Sequence, residues 1–383
     1  MKDILDNKKL PDSEAWHDAT QDKDLNHPLL VQNPELKTVL DHGRWAPSGD
    51  NMQPWRFKLL DNSHFDIHGF DTRKHCVYDL NGHASQLALG MLLENLSIGA
   101  SVIGKKIEYQ LDVNSKLEKP IIHISLSDSQ EKESVLASQV VLRTVNRRPL
   151  SRKKILSEHK KALEQAVRPL RVQWFEGKEL YKTTRLFYDA AGIRLRIPEA
   201  FPTHASIMEW EKPFSRDKMP VDSLGASWVA RKMMFFALKD WKRVHFFNTY
   251  LAGTLLPRLE LDVIPGIFSG AHFIIMDDKV NESVDDFLRA GRLVQRFWLT
   301  LTSFGIQLQP QMTPLIFANY HRLSKKFTEE TKQLRATEIL SSNLSALIGN
   351  KNVGKTLFMG RVGYGGLAIY RSTRLGIDKI VID

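Results

Sequence analysis

Two stretches of the chain repeat apolar residues at intervals of three and four. Residues 84–99 read ASQLALGMLLENLSIG, and residues 290–305 read AGRLVQRFWLTLTSFG. Each predicts a core helix stopped by a glycine. Aligned without a gap, Leu87 falls on Leu293, Leu93 on Leu299 and Gly99 on Gly305, while Ile98 and Phe304 are both apolar. The match suggests an internal repeat. Residues 107–111 and 121–126 alternate or run apolar as strands do, and residues 157–167 predict a helix. Residues 273–276 predict a buried strand, and 358–370 a strand interrupted by glycines. Helices alternating with strands indicate an α+β or α/β chain. The charged stretch 128–133 is the best boundary between two halves.

Residues 198–257 are crowded with Trp, Phe and Met, among them Trp210, Trp228, Met233, Phe236, Trp241 and Phe247. They predict two or three packed helices, some of whose rings could cover a flat ligand. The 383 residues, 42% apolar and 26% charged, suit a globular protein long enough for two domain-sized units. Cys76 is the single cysteine, so an internal disulfide is excluded and a reducing compartment, the cytoplasm, is expected. The start, Met1 to Asp6, is charged and does not read as a signal peptide, and the apolar runs are too short for a membrane span. The net charge of +10 suits phosphate-bearing ligands and nucleic acid equally.

Candidate chemistry begins where one predicted helix ends, in Arg44-Trp45-Ala46-Pro47-Ser48-Gly49-Asp50-Asn51-Met52-Gln53-Pro54-Trp55-Arg56-Phe57. Pro47 and Pro54 fix the backbone at each end of a tight polar loop. Gly49, Asp50 and Asn51 tolerate the dihedrals of such a loop. Ser48, Asn51 and Gln53 offer donors and acceptors suited to a flat ring rich in heteroatoms. The stretch resembles the A-P-S-x-x-N-x-Q-P-W-x-F segment of the nitroreductase-like, FMN-dependent oxidoreductases. The resemblance implies an α+β, three-layer α/β/α nitroreductase-like fold, with the long helices at the interface where such proteins dimerise.

Two basic clusters extend the resemblance. Arg143-Thr144-Val145-Asn146-Arg147 is similar to the family's R-x-S-x-R segment, with Arg143 and Arg147 on the basic positions and Val145 where Ser or Thr is usual. Arg371 and Arg374 resemble the basic pair after the last strand. Both pairs suit a phosphate because guanidinium forks donate two hydrogen bonds at once. Residues 309–313 resemble the loop after the central helix, and Ser269 and Gly270 the loop whose backbone approaches the flavin. The resemblance implies a cofactor set of Pro47, Ser48, Asn51, Gln53, Arg143, Arg147, Ser269, Gly270, Arg371 and Arg374. It names no catalytic side chain.

Only one A-P-S-x-x-N loop is present, and the basic segments follow it. The chain therefore resembles a fused pseudo-dimer with one FMN site between its halves. The expected division is 1–140 with the ring-binding loop and 141–383 with the phosphate-binding segments, with a helical, lid-like insertion at 198–257. The activity implied is NAD(P)H oxidation coupled by FMN to reduction of a small organic acceptor, a nitroaromatic, a quinone or similar, in a ping-pong cycle. The alternative is a protein that binds or stores FMN without turnover. Expected partners are small molecules, with no nucleic acid and no membrane, in a monomer or a homodimer.

Other patterns fail on context. Gly349 to Thr356 matches the P-loop letters, but a strand-like run follows where a helix is required. His64 and His68 lie in an alternating, strand-like segment, and the 13 histidines show no metal-ligand spacing. There is no nucleophile elbow and no DNA- or RNA-binding motif.

Overall fold

The computed structural model describes residues 13–21, 27–131 and 133–383. The charged start that bears on a signal peptide lies outside them. In chain order the elements that frame the site begin with α1 (Pro34–Arg44), β1 (Trp55–Leu59), β2 (His64–Gly69), α2 (His83–Val102), β3 (Lys105–Leu111) and β4 (Ile121–Asp128). There follow α3 (Ser157–Ala166), β5 (Arg171–Phe175), α4 (Lys178–Arg194), α5 (Trp228–Ala237) and α6 (Trp241–Tyr250). The chain continues through β6 (Ala271–Met276), α7 (Val284–Ser303), β7 (Ile306–Pro310), α8 (Thr313–Arg322) and α9 (Thr331–Ile348). It closes with β8 (Thr356–Tyr364) and β9 (Val381–Ile382). The fold is α+β.

Two antiparallel sheets share one topology. The first has the order β1-β2-β4-β3, extended by β9 parallel to β1. The second has the order β5-β6-β8-β7. In each, a 20-residue helix leads from the second strand to the third. The sequences of the strands say which faces are covered. His64-Phe65-Asp66-Ile67-His68-Gly69 buries every second residue, so the first sheet has one wet face. Ala271 to Met276 is buried throughout, so the second sheet is covered on both faces. One face meets α2 and α7 in the main core, and the other meets α4, α8 and α9.

The long helices cross where Gly90 meets Gly291. A methyl group built on Gly90 would lie 2.2 Å from the Leu288 carbonyl oxygen, and one on Gly291 2.2 Å from that of Leu87. Only glycine permits this approach. Beside the crossing, buried Glu94 accepts from Arg292 Nε at 3.0 Å and from Arg296 Nε, and Gln295 donates to Asn95 Oδ1 at 2.7 Å.

The structure corrects the pairing of the glycines in the two long helices. The shift that relates Gly90 to Gly291 also relates Gly104 to Gly305, and these two, at φ of 68° and 72°, are the equivalent helix stops. Gly99 instead lies inside α2, where its missing side chain admits His42 and Val39 of α1. Sequence alone paired it with Gly305 because both follow an apolar run. Likewise, β8 passes through Gly360 and Gly363 without a break. These glycines make room for the Gln309 carbonyl and for Leu150. The P-loop look-alike runs from the end of α9 into β8, with a strand after it.

Alanine at Gly90 or Gly291 should lower stability by about 3 kcal/mol or more, the cost of overpacking a rigid contact. Gly366→Ala, with nothing within 4 Å, should change it by no more than about 0.5 kcal/mol. Urea midpoints of the three variants check this, and equal midpoints for Gly90→Ala and Gly366→Ala would remove the crossing as a constraint.

Candidate cofactor site

Residue for residue, the loop after α1 is bent by its sequence. Asp50, Asn51 and Gln53 all have left-handed backbone, at φ of 51°, 60° and 48°, whereas Gly49 does not use its freedom. Asp and Asn accept this region readily, but glutamine there is strained. The strain is held by hydrogen bonds. Gln53 N donates to Ser48 Oγ at 2.9 Å, and the buried Gln53 amide donates to the Arg216 carbonyl at 2.8 Å and accepts from Leu375 N at 2.8 Å. Asn51 Nδ2 donates to the Arg216 carbonyl at 3.0 Å. Asn51 Oδ1 is buried without a partner.

This loop forms one wall of a cavity of about 460 Å³. Small-molecule sites commonly span about 300–1,000 Å³. Pro47, Ser48, Gly49, Asp50 and Asn51 line it, together with Leu87, Ala88 and Met91 of α2 and Trp298 of α7. Residues 309–313, at the end of β7 and the start of α8, line another side. Met233, Met234, Leu238, Val244 and Phe247, from α5 and α6, complete an apolar wall.

Arg143, Arg371 and Arg374 converge on the cavity, each about 5% exposed or less. Their partners are carbonyls. Arg143 Nη2 donates to Trp45 O at 2.9 Å, Arg374 Nε to Ala46 O at 2.8 Å, and Arg371 Nη2 to Arg143 O at 2.9 Å. Trp45 and Ala46 follow directly on α1, at the end of a helix dipole that favours cations. Arg143 also lies 4.8 Å over the Trp298 ring. Among the described residues no carboxylate pairs with any of the three, and Arg143 Nε and Arg371 Nε have no hydrogen-bond partner. Burial, then the charges of Arg374 and Arg371, push the Arg143 guanidinium well below its ordinary value. Burial lowers Arg371 to about 10, and burial with the charges of Arg371 and Arg44 lowers Arg374 to about 9.

A second group of polar side chains lines the cavity: Asp50, Arg147, Arg194, Asp262, Tyr78 and His204. Burial raises Asp50 against the opposing charges of Arg147 and Arg194. Burial lowers Arg147 to about 10 and His204 to about 3, so His204 is neutral at pH 7. His204 Nε2 is hydrogen-bonded to Tyr78 Oη at 2.7 Å with the rings stacked. Asp262 accepts from Arg194 Nη2 at 3.4 Å.

Seven of the ten sequence-assigned residues thus line one cavity: Pro47, Ser48, Asn51, Arg143, Arg147, Arg371 and Arg374. Three do not. Gln53 is spent holding the loop, as described. Ser269 donates to the Pro265 carbonyl at 2.7 Å and accepts from buried Arg361. Gly270 N donates to the Val362 carbonyl at 2.8 Å, beside β8. Both are held between β6 and β8, and neither lines the cavity. Val145, in the position of the usual Ser or Thr, lines the cavity and bridges to Leu308 of β7. Sequence reasoning missed Arg194, Asp262, Tyr78, His204 and Trp298. The only local cue was a basic or acidic residue ending an apolar helical run, as in Ile193-Arg194.

The nitroreductase family model matches residues 24–101. Over that segment the chain is similar to a nitroreductase-family domain. The match takes in the 47–53 loop and most of α2 and stops before the arginine segments. Three similar solved structures are nitroreductases by description. An FMN-dependent nitroreductase from Mycobacterium smegmatis, in complex with NADPH, is 14% identical with a TM-score of 0.37, over 65% of this chain and 97% of its own. A putative nitroreductase from Anabaena variabilis is 11% identical with a TM-score of 0.38, over 95% and 99%. A nitroreductase-like family protein from Bacillus cereus is 11% identical with a TM-score of 0.31, over 66% and 96%. Comparison with curated proteins gives no match. Among the described residues no group of His, Cys, Asp and Glu could hold a metal ion, and no helix is long and apolar enough to cross a membrane.

Asp262 makes stability depend on pH. Burial first, against the charges of Arg194, Arg258 and Arg361, raises it from 3.8 to about 6. A carboxyl raised in the folded state contributes stability that is complete below about pH 4 and lost as pH rises through about 6. A displacement of this size is worth about 3 kcal/mol. Urea midpoints of the native chain should therefore fall between pH 4 and 7 relative to those of Asp262→Asn. Parallel curves would mean that Arg194 keeps Asp262 ionised throughout.

Proposed function

We propose that the chain is an FMN-dependent oxidoreductase that takes reducing equivalents from NAD(P)H and delivers them to a small organic acceptor, a nitroaromatic, a quinone or similar. The observation that carries this reading is the trio Arg143, Arg371 and Arg374. Three buried cations without a carboxylate are costly unless an anion joins them. A phosphate monoester on a flat ring system meets the need: its oxygens would accept from the unpartnered Arg143 Nε and Arg371 Nε. Asn51 Oδ1, a buried acceptor without a donor, suits a ring N–H, and the left-handed loop presents it. Bound FMN supplies the hydride-accepting chemistry between donor and acceptor. The protein's part is to fix that group and exclude water. Leu87, Ala88 and Met91 form an apolar surface on one side, and the methionines of α5 the other wall. Donor and acceptor would take turns in this cavity, a ping-pong cycle.

The reading extends to architecture. Two sheets of equal topology, two equivalent helices crossing at glycine and a single loop-plus-arginine site support a fused pseudo-dimer, able to act as a monomer. Its halves are 1–140 and 141–383, with β9 returning to complete the first sheet. Residues 198–257 would be a lid. Their backbone at Arg216 and Lys218 grips Asn51, and Phe214–Ser215 pairs with Arg371–Ser372. With one free cysteine, the cytoplasm is the compartment that fits. The same roofing favours a second reading, an FMN-storage protein in which the lid blocks turnover.

Arg143→Ala should lower FMN affinity roughly 10- to 150-fold, the loss of a charge-assisted hydrogen bond. Riboflavin, which lacks the phosphate, should bind both forms alike. Equal losses for the two flavins would make Arg143 a structural residue. The storage reading is tested separately: the FMN-loaded protein should oxidise NADPH rapidly when a quinone or nitroarene is added, and a flavin that stays oxidised under anaerobic NADPH would favour storage.

A further inference from the structure

The pair α5–α6 is apolar on both sides. Its inner side supplies Met233, Met234, Ala237, Leu238, Val244 and Phe247 to the cavity wall. Its outer side carries Trp228 at 61% exposure, Phe236 at 49%, Phe246 at 52% and Tyr250 at 72%, with Val229 and Phe235 beside them. No residue of α6 is buried, although four of its ten are aromatic. Exposed rings grouped in this way mark an interaction surface, and among the described residues these stay open to solvent.

Its charge says what that partner is. From Trp228 to Leu251 there are five cations, Arg231, Lys232, Lys239, Lys242 and Arg243, against one acid, Asp240. Asp240 is occupied in capping α6 through Lys242 N. Arg231 is paired with Asp222. Three of the others stand among the exposed rings, with Lys232 Nζ 4.0 Å from the Trp228 ring centre, Lys239 Nζ 4.6 Å from Phe235 and Arg243 4.5 Å from Phe236. A second copy of the same face would set these cations against one another, in a chain already at +10. Aromatic rings at headgroup depth and a rim of lysines are instead the composition of helices that lie on an anionic bilayer.

We propose that α5–α6 dock on an anionic phospholipid surface, with Trp228, Phe235, Phe236, Phe246 and Tyr250 entering the interface and Lys232, Lys239, Lys242 and Arg243 meeting lipid phosphates. Docking lays the outer wall of the cavity against the acyl boundary. Docking on a surface needs no spanning segment, so it stands beside the finding that no helix among the described residues can cross a membrane. The inference does not rest on FMN, since none of the docking rings lines the cavity.

The test is co-sedimentation of the full chain with phosphatidylcholine vesicles, with and without phosphatidylserine. The native protein should pellet with the mixed vesicles, less so as salt rises, and weakly with phosphatidylcholine alone. Each lysine changed to glutamine should lower partitioning about fivefold, so Lys232→Gln/Lys239→Gln/Lys242→Gln should lose roughly a hundredfold. Phe236→Ser/Phe246→Ser should also release the protein. Unchanged thermal midpoints in both variants show that the fold survives. Equal pelleting with both vesicles, no pelleting, or self-association that disappears in Phe236→Ser/Phe246→Ser without vesicle binding would each overturn the proposal, the last by assigning the face to a second copy.

Discussion

The contact on which the rest depends is the crossing of α2 and α7 at Gly90 and Gly291. Two helices ordinarily lie 8–10 Å apart, set by the side chains between them. Here the backbones touch, because neither residue has a side chain to interpose. Leu87, Ala88 and Met91 on one helix and Trp298 on the other are thereby fixed in one cavity floor. Glu94 between Arg292 and Arg296 locks the rotation of one helix against the other. A change in crossing distance would separate the 47–51 loop, anchored near α2, from Arg143, which stacks on Trp298 of α7.

The arginine trio shows how a protein can hold like charges side by side with no carboxylate between them. Each guanidinium is tied to backbone carbonyls: Arg143 to Trp45 at the end of α1, Arg374 to Ala46 and Thr373, and Arg371 to Arg143. Carbonyls are partial negative charges that orient a cation without neutralising it. A carboxylate in their place would compete with an incoming phosphate. The site keeps its carboxylates, Asp50 and Asp262, with Arg147 and Arg194 instead. The two arrangements divide the cavity by charge. The trio favours an anion, whereas the second group balances itself and is left with neutral His204 and Tyr78 as polar contacts for the rest of a ligand.

How much of this was legible depended on whether function resided in a contiguous segment. The 47–51 loop and the two arginine pairs were readable because residue type and spacing are local properties. Gln53 shows the limit. It stands two residues from Asn51 with the same amide chemistry, and both donate to the Arg216 carbonyl, yet Asn51 lines the cavity with its Oδ1 unpartnered whereas Gln53 spends its oxygen on Leu375 N. That difference is set by three left-handed dihedrals, which sequence does not report. Arg194, Asp262, Tyr78 and His204 were invisible for another reason. Arg194 ends α4, Tyr78 lies in the loop after β2, and His204 and Asp262 lie in short helical turns, so only tertiary packing brings them together. The likeness of the two long helices was readable but its register was not, because helical periodicity fits at several offsets. The left-handed backbone of Gly104 and Gly305, together with the Gly90–Gly291 contact, distinguishes Gly104 from Gly99.

Residues 198–257 bring the two problems together. To roof an apolar cavity a helix must present apolar residues inward, and α5 does so with methionines, flexible enough to fit a flat ligand. The same helix carries tryptophan and phenylalanine outward, where no roofing function requires them. Apolar surface kept in water is unfavourable, about 25 cal/mol for each Å² that could be buried. Solubility alone would select polar residues there. The outward rings and the lysines among them therefore answer to a second constraint, independent of the cavity. A roof thin enough to be one helix layer thick necessarily couples the two: whatever meets the outer rings bears directly on Met233, Met234 and Phe247 within, and so on the space the ligand is given.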